Sequence, residues 1–428
     1  MNSLGSATFQ RQTKQEPVPH ETSLISIIAI GLTLAFVGGF IAVRLRLPAL
    51  VGYLLAGVAI GPFTPGFVGD ADLAHQLAEI GVILLMFGVG MHFSIGDLWS
   101  VRGIALPGAV AQIAAATAMG VGLALLWGWT FGAGLVFGLA LSVASTVVLL
   151  KALESRNRLD TEDGRIAVGW LIVEDLVIVL ALVILPAVAG SLGGTNGSAE
   201  ARDGQLWGTL GIALTKVALF IALMLIVGTR FFPWLLKQVE KTDSRELFTL
   251  AVVGQSIGIA YGSTKIFGVS FALGAFFAGM VLNASPSSHR AVKKLQPLED
   301  VFAVLFFVAV GMLFDPSVLV DQPLRVLSVV CIIVIGKSVA AMGIVLLLGR
   351  SMGTALTVSA ALAQIGEFSF ILIALGVGLG LMPEESQSLI VAGALLSITL
   401  NPLVFYAVER WSARNESPEQ KQPALSGG

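Results

Sequence analysis

Long apolar runs, separated by short polar or charged segments, recur along nearly the whole 428-residue chain. A helix needs about 20 apolar residues to cross the hydrocarbon of a bilayer, more when tilted and fewer when broken. On that measure the runs predict thirteen crossings, near 23–43, 48–63, 76–93, 103–127, 131–152, 166–190, 206–229, 246–263, 268–284, 298–314, 324–349, 353–381 and 386–409. The second and ninth are short, and 353–381 is long enough to hold a break. Segments 1–21 and 411–428 read as polar tails; Pro17 and Pro19 in the first argue against a signal peptide.

Composition agrees with an all-α polytopic membrane protein. Charged residues make up 12% of the chain and hydrophobic ones 56%, against about 25% charged in a soluble domain. The lipid bilayer is therefore the first expected partner. A net charge of −2, with no basic patch interleaved with aromatics, gives no sign of a nucleic-acid partner. Cys331 is the single cysteine, which excludes a disulfide within one chain and a cysteine metal site.

Cytoplasmic loops collect Lys and Arg. With the N-terminus outside and thirteen crossings, eighteen of the 25 Lys and Arg fall in inside segments and five in outside ones. Lys216 and Lys337 lie within spans. The asymmetry predicts N-terminus outside, C-terminus inside.

The chain also resembles itself. Residues 81–94 (GVILLMFGVGMHFS) align with 302–315 (FAVLFFVAVGMLFD), placing Leu84, Val89, Gly90, Met91 and Phe93 on Leu305, Val310, Gly311, Met312 and Phe314. Ala56-Gly57 corresponds to Ala278-Gly279, Ala140-Leu141 to Ala361-Leu362, and Ser145-Thr146 to Gly366-Glu367. The matched third and tenth spans are an odd number of crossings apart, so they run in opposite directions. That is the inverted-topology repeat of secondary transporters, whose sites lie near midplane at broken helices. Segments 140–152 and 361–373 are the candidate breaks, carrying Ser142, Ser145 and Thr146 in one and Gln364, Gly366, Glu367 and Ser369 in the other. Unwound backbone at that depth is tolerated only where it is buried in protein or lines a cavity.

Few ionisable residues lie deep in the spans: Glu174, Asp175, Lys337, Glu367, Lys216 and Glu79. Charge at bilayer depth is costly and usually serves an ion or proton path. Asp175 is the leading candidate for binding a monovalent cation or a proton; a structural acid satisfied by its neighbours is the alternative. Glu174 sits about 100° around the helix from Asp175, and either shares the ion, tunes its neighbour or bonds the next helix. Lys337 should pair with a carboxylate, and Asp175 is the partner expected of it. Glu367 either compensates helix dipoles at its break or contacts the ion. Packing or dimer contacts suit Lys216 and Glu79 better. The charged stretch from Arg156 to Arg165 reads as a solvated inside loop. There is no phosphate loop, Gly88-Val-Gly90 is no dinucleotide fingerprint, and no catalytic triad or histidine-rich metal spacing stands out. Neither an enzyme nor a bound cofactor is expected.

Eight segments in order carry a family resemblance: Leu54–Pro62, Glu79–Phe87, Ala144–Val148, Glu174-Asp175, Phe271–Gly279, Phe306–Met312, Ile335–Lys337 and Gln364–Phe368. Together they resemble the monovalent cation:proton antiporter-2 family, within it the Kef-type potassium efflux branch and its YbaL-like group, over about residues 24–410. The resemblance implies the sodium/proton antiporter fold, with two broken crossing helices, working as an elevator in a homodimer in the bacterial inner membrane. Scaffold or dimer helices would occupy about 22–100 and 246–315, core helices about 103–190 and 324–410, and a linker helix 206–229, within a transmembrane domain at 22–410. Asp175 would carry cation and proton in turn, with Lys337 as its salt-bridge partner. Ser145, Thr146 and Gln364–Glu367 would mark the crossing. Electrogenic sodium/proton exchangers carry Asp-Asp here and Kef transporters Gln-Asp; Glu-Asp is a departure that bears on stoichiometry and ion choice. Kef-type proteins continue into a nucleotide-binding regulatory domain, whereas this chain ends soon after Arg414, so that domain is expected to be missing from it.

The expected function is exchange of K⁺, or else Na⁺, for protons through competition at Asp175. A ligand-gated cation efflux channel and a sodium-coupled organic-anion symporter remain the alternatives.

Overall fold

The computed structural model describes residues 20–65, 69–92, 95–159, 161–195, 206–283, 285 and 288–415. Most of both polar tails lies outside those residues. Every regular element within them is helical. The first part of the chain gives α1 (His20–Arg44), α2 (Ala49–Ile60), α3 (Ala71–His92), α4 (Ile95–Leu126), α5 (Phe131–Ser142), α6 (Thr146–Glu154) and α7 (Glu162–Val188). Next come α8 (Leu206–Leu223), which runs through a π-helical turn at Met224–Gly228 into α9 (Thr229–Glu240), then α10 (Arg245–Phe267), α11 (Phe271–Asn283) and α12 (Ser288–Met312). The last part gives α13 (Val318–Asp321), α14 (Pro323–Cys331), a second π turn (Ile332–Gly336), α15 (Lys337–Leu347), α16 (Met352–Leu362), α17 (Glu367–Gly378) and α18 (Glu385–Asn415).

Nine spans among the described residues are long and apolar enough to cross a membrane. The pair α16–α17 passes the same test as one span bent by 49°, and α2, α5 and α11 are shorter apolar helices. Some helices outrun their apolar stretch: α12 starts at Ser288, ten residues before the apolar run, because a helix continues into its polar end where the apolar pattern stops. The long spans are far from fully covered by the rest of the chain. Only 22% of Leu24–Arg44 is buried, and Phe36 and Phe40 are exposed on it, as lipid-facing side chains are. This is a multi-pass membrane protein.

The helices pack in two sets. One joins α1, α2 and α3 to α10, α11 and α12; the other joins α4, α5 and α7 to α15, α16, α17 and α18. Lipid is as apolar as leucine, so association within the membrane relies on close backbone approach at small residues. Two crossings in the first set show this. A Cβ on Gly57 would strike the Val308 carbonyl oxygen, and one on Gly311 that of Leu54, where α2 crosses α12. A Cβ on Gly279 would strike the Phe87 carbonyl oxygen, and one on Gly90 that of Phe276, where α11 crosses α3. These four glycines are the ones that the internal sequence match sets in correspondence, so each half's short helix crosses the other half's long one.

Gly279→Ala and Gly311→Ala should each destabilise the protein by on the order of 1–3 kcal/mol, because the methyl meets backbone and not a movable side chain. Gly122→Ala, where the space is open, should leave stability nearly unchanged. Thermal unfolding of the detergent-solubilised variants checks this, and equal midpoints for all three would contradict the close crossings.

Candidate functional site

Two helix breaks meet in the second set. After Ser142 the chain turns extended at Val143 (φ −91°, ψ 133°), and α6 restarts at Thr146 with Ser145 Oγ accepting from the Val148 N–H at 3.3 Å. After Leu362 the second break ends at Gly366, extended ahead of α17. Gly366 packs against the first break: a Cβ there would lie 2.7 Å from the Ser145 Cα. Gln364 then binds Ser145 twice. Its Oε1 accepts from the Ser145 N–H at 2.9 Å, and its Nε2 donates to the Ser145 carbonyl at 3.2 Å.

Broken helices at membrane depth leave carbonyls that only protein can satisfy. Gln112 Nε2 donates to Ser142 O at 3.1 Å, and Ser369 Oγ to Ala140 O at 2.6 Å. Asn401 Nδ2 donates to Ala360 O at 2.9 Å, and Lys337 Nζ to Gln364 O at 3.0 Å. The Ser142 hydroxyl itself turns back onto Leu139 O at 2.7 Å and contributes only its carbonyl to this network.

Three carboxylates converge on residues 144–146. Glu174 Oε2 accepts from the Ala144 N–H at 2.9 Å, Glu367 Oε2 from Ser145 Oγ at 3.3 Å, and Asp175 Oδ2 from Thr146 Oγ1 at 3.2 Å. Glu174 and Lys337 are fully buried, and Asp175 is 8% exposed. The other oxygens of both adjacent acids, Glu174 Oε1 and Asp175 Oδ1, are buried without a hydrogen-bond partner.

Lys337 departs from the expectation. No ion pair among the described residues joins it to Asp175 or to Glu174; its ammonium bonds the Gln364 carbonyl. Its charge acts on Glu174 instead, while the charges acting on Asp175 are those of Glu367 and Glu174. Successive helical residues diverge by about 100°, so Glu174 and Asp175 do not face one partner equally. Lys337 also follows directly on the Ile332–Gly336 π turn, which shifts the helix face relative to an α-helical count.

Chemically, the cluster sets three carboxylates against one ammonium in a buried setting. Unbalanced negative charge there is expensive, so the arrangement favours taking up a cation or protons. Asp175 is the acid with a slight opening and a free oxygen. Sequence reading passed over Gln112 and Asn401; their signal was a lone amide inside an apolar run, visible but unspecific. Lys216 and Glu79 are exposed. Glu79 lines a cavity of about 990 Å³ between the two helix sets, beside Phe306, Phe370 and Val391.

The family profile described as sodium/hydrogen exchanger, transmembrane, matches residues 31–408. The chain belongs to this family. It is 56% identical over 404 residues to the protein of Escherichia coli (strain K12) named "Putative cation/proton antiporter YbaL", a match that covers 94% of this chain and 71% of that one. It is 32% identical to K(+) efflux antiporter 4 of Arabidopsis thaliana, over 92% of this chain and 67% of the relative. These relatives place it in the Kef-type branch of the antiporter-2 family. The fold matches that of the sodium proton antiporter MjNhaP1 from Methanocaldococcus jannaschii, with a TM-score of 0.66 at 19% identity, covering 91% of this chain and 97% of that one.

Removing one member of a buried charge pair leaves the other uncompensated, typically at a cost of about 3–5 kcal/mol. Glu174→Gln and Lys337→Met should each lower stability more than Asp175→Asn does. The double variant Glu174→Gln/Lys337→Met should recover part of the loss, with a coupling of about 1–3 kcal/mol. Thermal unfolding of the four variants measures this, and strictly additive losses would rule out the Glu174–Lys337 pairing.

Proposed function

We propose that the chain exchanges a monovalent cation for protons across the bacterial inner membrane, with K⁺ preferred over Na⁺, and that Asp175 is the group at which they compete. The observation that carries this reading is the excess of buried carboxylates at the crossing of the two breaks, with Asp175 keeping one oxygen unbonded. A deprotonated Asp175 holds a cation, aided by Thr146 Oγ1 and by carbonyls of the broken helices; protonation expels it. Glu174 and Lys337, whose opposite charges act on each other, stay beside it and hold the Ala144 and Gln364 backbone. The preference for K⁺ is supported by the relatives named as potassium efflux antiporters.

An elevator motion is supported by the packing. All the site residues sit in the second helix set, so that set can move as one body past the first, which would form the scaffold of a homodimer. Thirteen crossings agree with the nine long spans, the bent pair and the three short apolar helices, and the charge asymmetry supports N-terminus outside and C-terminus inside. A gated channel and an organic-anion symporter are not favoured, because the relatives above carry antiporter names.

Asp175→Asn reconstituted in liposomes should lose the internal pH change that K⁺ or Na⁺ addition drives in the parent protein, by at least about 100-fold in rate, while remaining folded by size exclusion. Retained cation-coupled proton flux in that variant would sink the assignment. K⁺ and Na⁺ titrations of the parent protein at several pH values separate the two ions.

A further inference from the structure

The half-helix that presents Thr146 to Asp175 is tied at its far end to α18. Arg156, just past α6, bonds through Nε to Glu409 Oε1 at 2.7 Å. Its NH1 donates to the α6 carbonyl of Ala152 at 3.0 Å, and its guanidinium lies 4.3 Å from the centre of the Phe405 ring. Asn157, left-handed at φ 53°, closes the helix: its N–H bonds Glu154 O and that of Arg158 bonds Leu153 O, each at 2.9 Å. This start of the charged inside segment is thus anchored to the helix bundle, unlike the solvated loop its composition suggests.

The other half of the break is held by the opposite end of the same helix. Glu385, the first residue of α18, accepts from Arg325 NH1 at 2.7 Å and from Trp129 Nε1 at 3.3 Å. Trp129 leads into Thr130, the N-cap of α5, and its ring meets that of Phe137 edge-on at 5.3 Å. Glu385 and Glu409 lie about 36 Å apart at 1.5 Å per residue. Between them, Asn401 binds Ala360 O ahead of the second break.

A nine-residue helix is too short to hold its place by helix formation alone. Leu149 and Leu153 bury one face of α6 against α7 and α16, and its two ends are held by the Ser145 network at one and by Arg156 at the other. We propose that α18 is a strut spanning the α5–α6 break, and that Glu409 is a positioning residue which, through Arg156, seats Thr146 against Asp175. The proposal rests on the reading of Asp175 as the exchange site.

In proteoliposomes, Glu409→Gln should raise the cation concentration for half-maximal exchange roughly fivefold, equivalent to about 1 kcal/mol, with the maximal rate held within about twofold. The swap Arg156→Glu with Glu409→Arg should bring the half-maximal concentration back. An unchanged value in Glu409→Gln, or a rise that the swap does not reverse, overturns the strut. Hydrogen–deuterium exchange of the detergent-solubilised protein decides the point without transport. The amides of residues 144–148 should exchange faster in Glu409→Gln and recover in the swap; no change there refutes the proposal. Should the parent protein show no cation-linked proton flux, the exchange-site reading fails, and the amide measurement still settles whether Glu409 positions α6.

Discussion

Everything at the centre of this protein depends on one constraint: backbone groups freed inside a membrane must find partners within the protein. Interrupting α5–α6 and α16–α17 releases carbonyls and N–H groups where no lipid atom can bond them. The surrounding helices supply the missing partners with side chains, from Gln112 on α4, Lys337 on α15 and Asn401 on α18, while Gln364 and Ser145 close the two breaks onto each other. A polar centre is thus built into an otherwise apolar bundle, and the carboxylates of Glu174, Asp175 and Glu367 are drawn to its N–H and hydroxyl donors.

The same economy explains the division between adjacent acids. Glu174 is occupied by a backbone N–H and by the charge of Lys337, which itself holds a carbonyl of the second break. It is part of what keeps the breaks closed. Asp175 has only the Thr146 hydroxyl and a repulsive pair of neighbours, Glu367 and Glu174. On the proposed reading, one helical step of about 100° separates a structural role from an exchangeable one.

Close packing elsewhere serves a different end. The crossings at Gly57/Gly311 and Gly90/Gly279 bring backbones into direct contact in the first helix set. The second set is held by hydrogen bonds at its breaks and by ion pairs at the ends of α18. Between the sets lies a cavity of about 990 Å³, lined mostly by apolar side chains together with Glu79, Asp315, Glu384 and Glu385.

Much of this was legible in the linear chain. Apolar runs, Lys and Arg asymmetry and the match of residues 81–94 to 302–315 are properties of spacing and composition, and they follow from the bilayer's thickness and from helix geometry alone. Acids in the middle of an apolar run announce a functional centre for the same reason, so Asp175, Thr146 and the Gln364–Glu367 segment could be singled out. What the sequence could not decide was which acid Lys337 faces, that Gln112 and Asn401 belong to the centre, and that Arg156 is gripped by Glu409. Those depend on the rotation of one helix against another, shifted here by a π turn at Ile332–Gly336, and on contacts between helices distant in the chain, as far as the 253 positions from Arg156 to Glu409. Only the packed structure sets them, because orientation about a helix axis is fixed by the neighbours that a helix meets and not by its own residues.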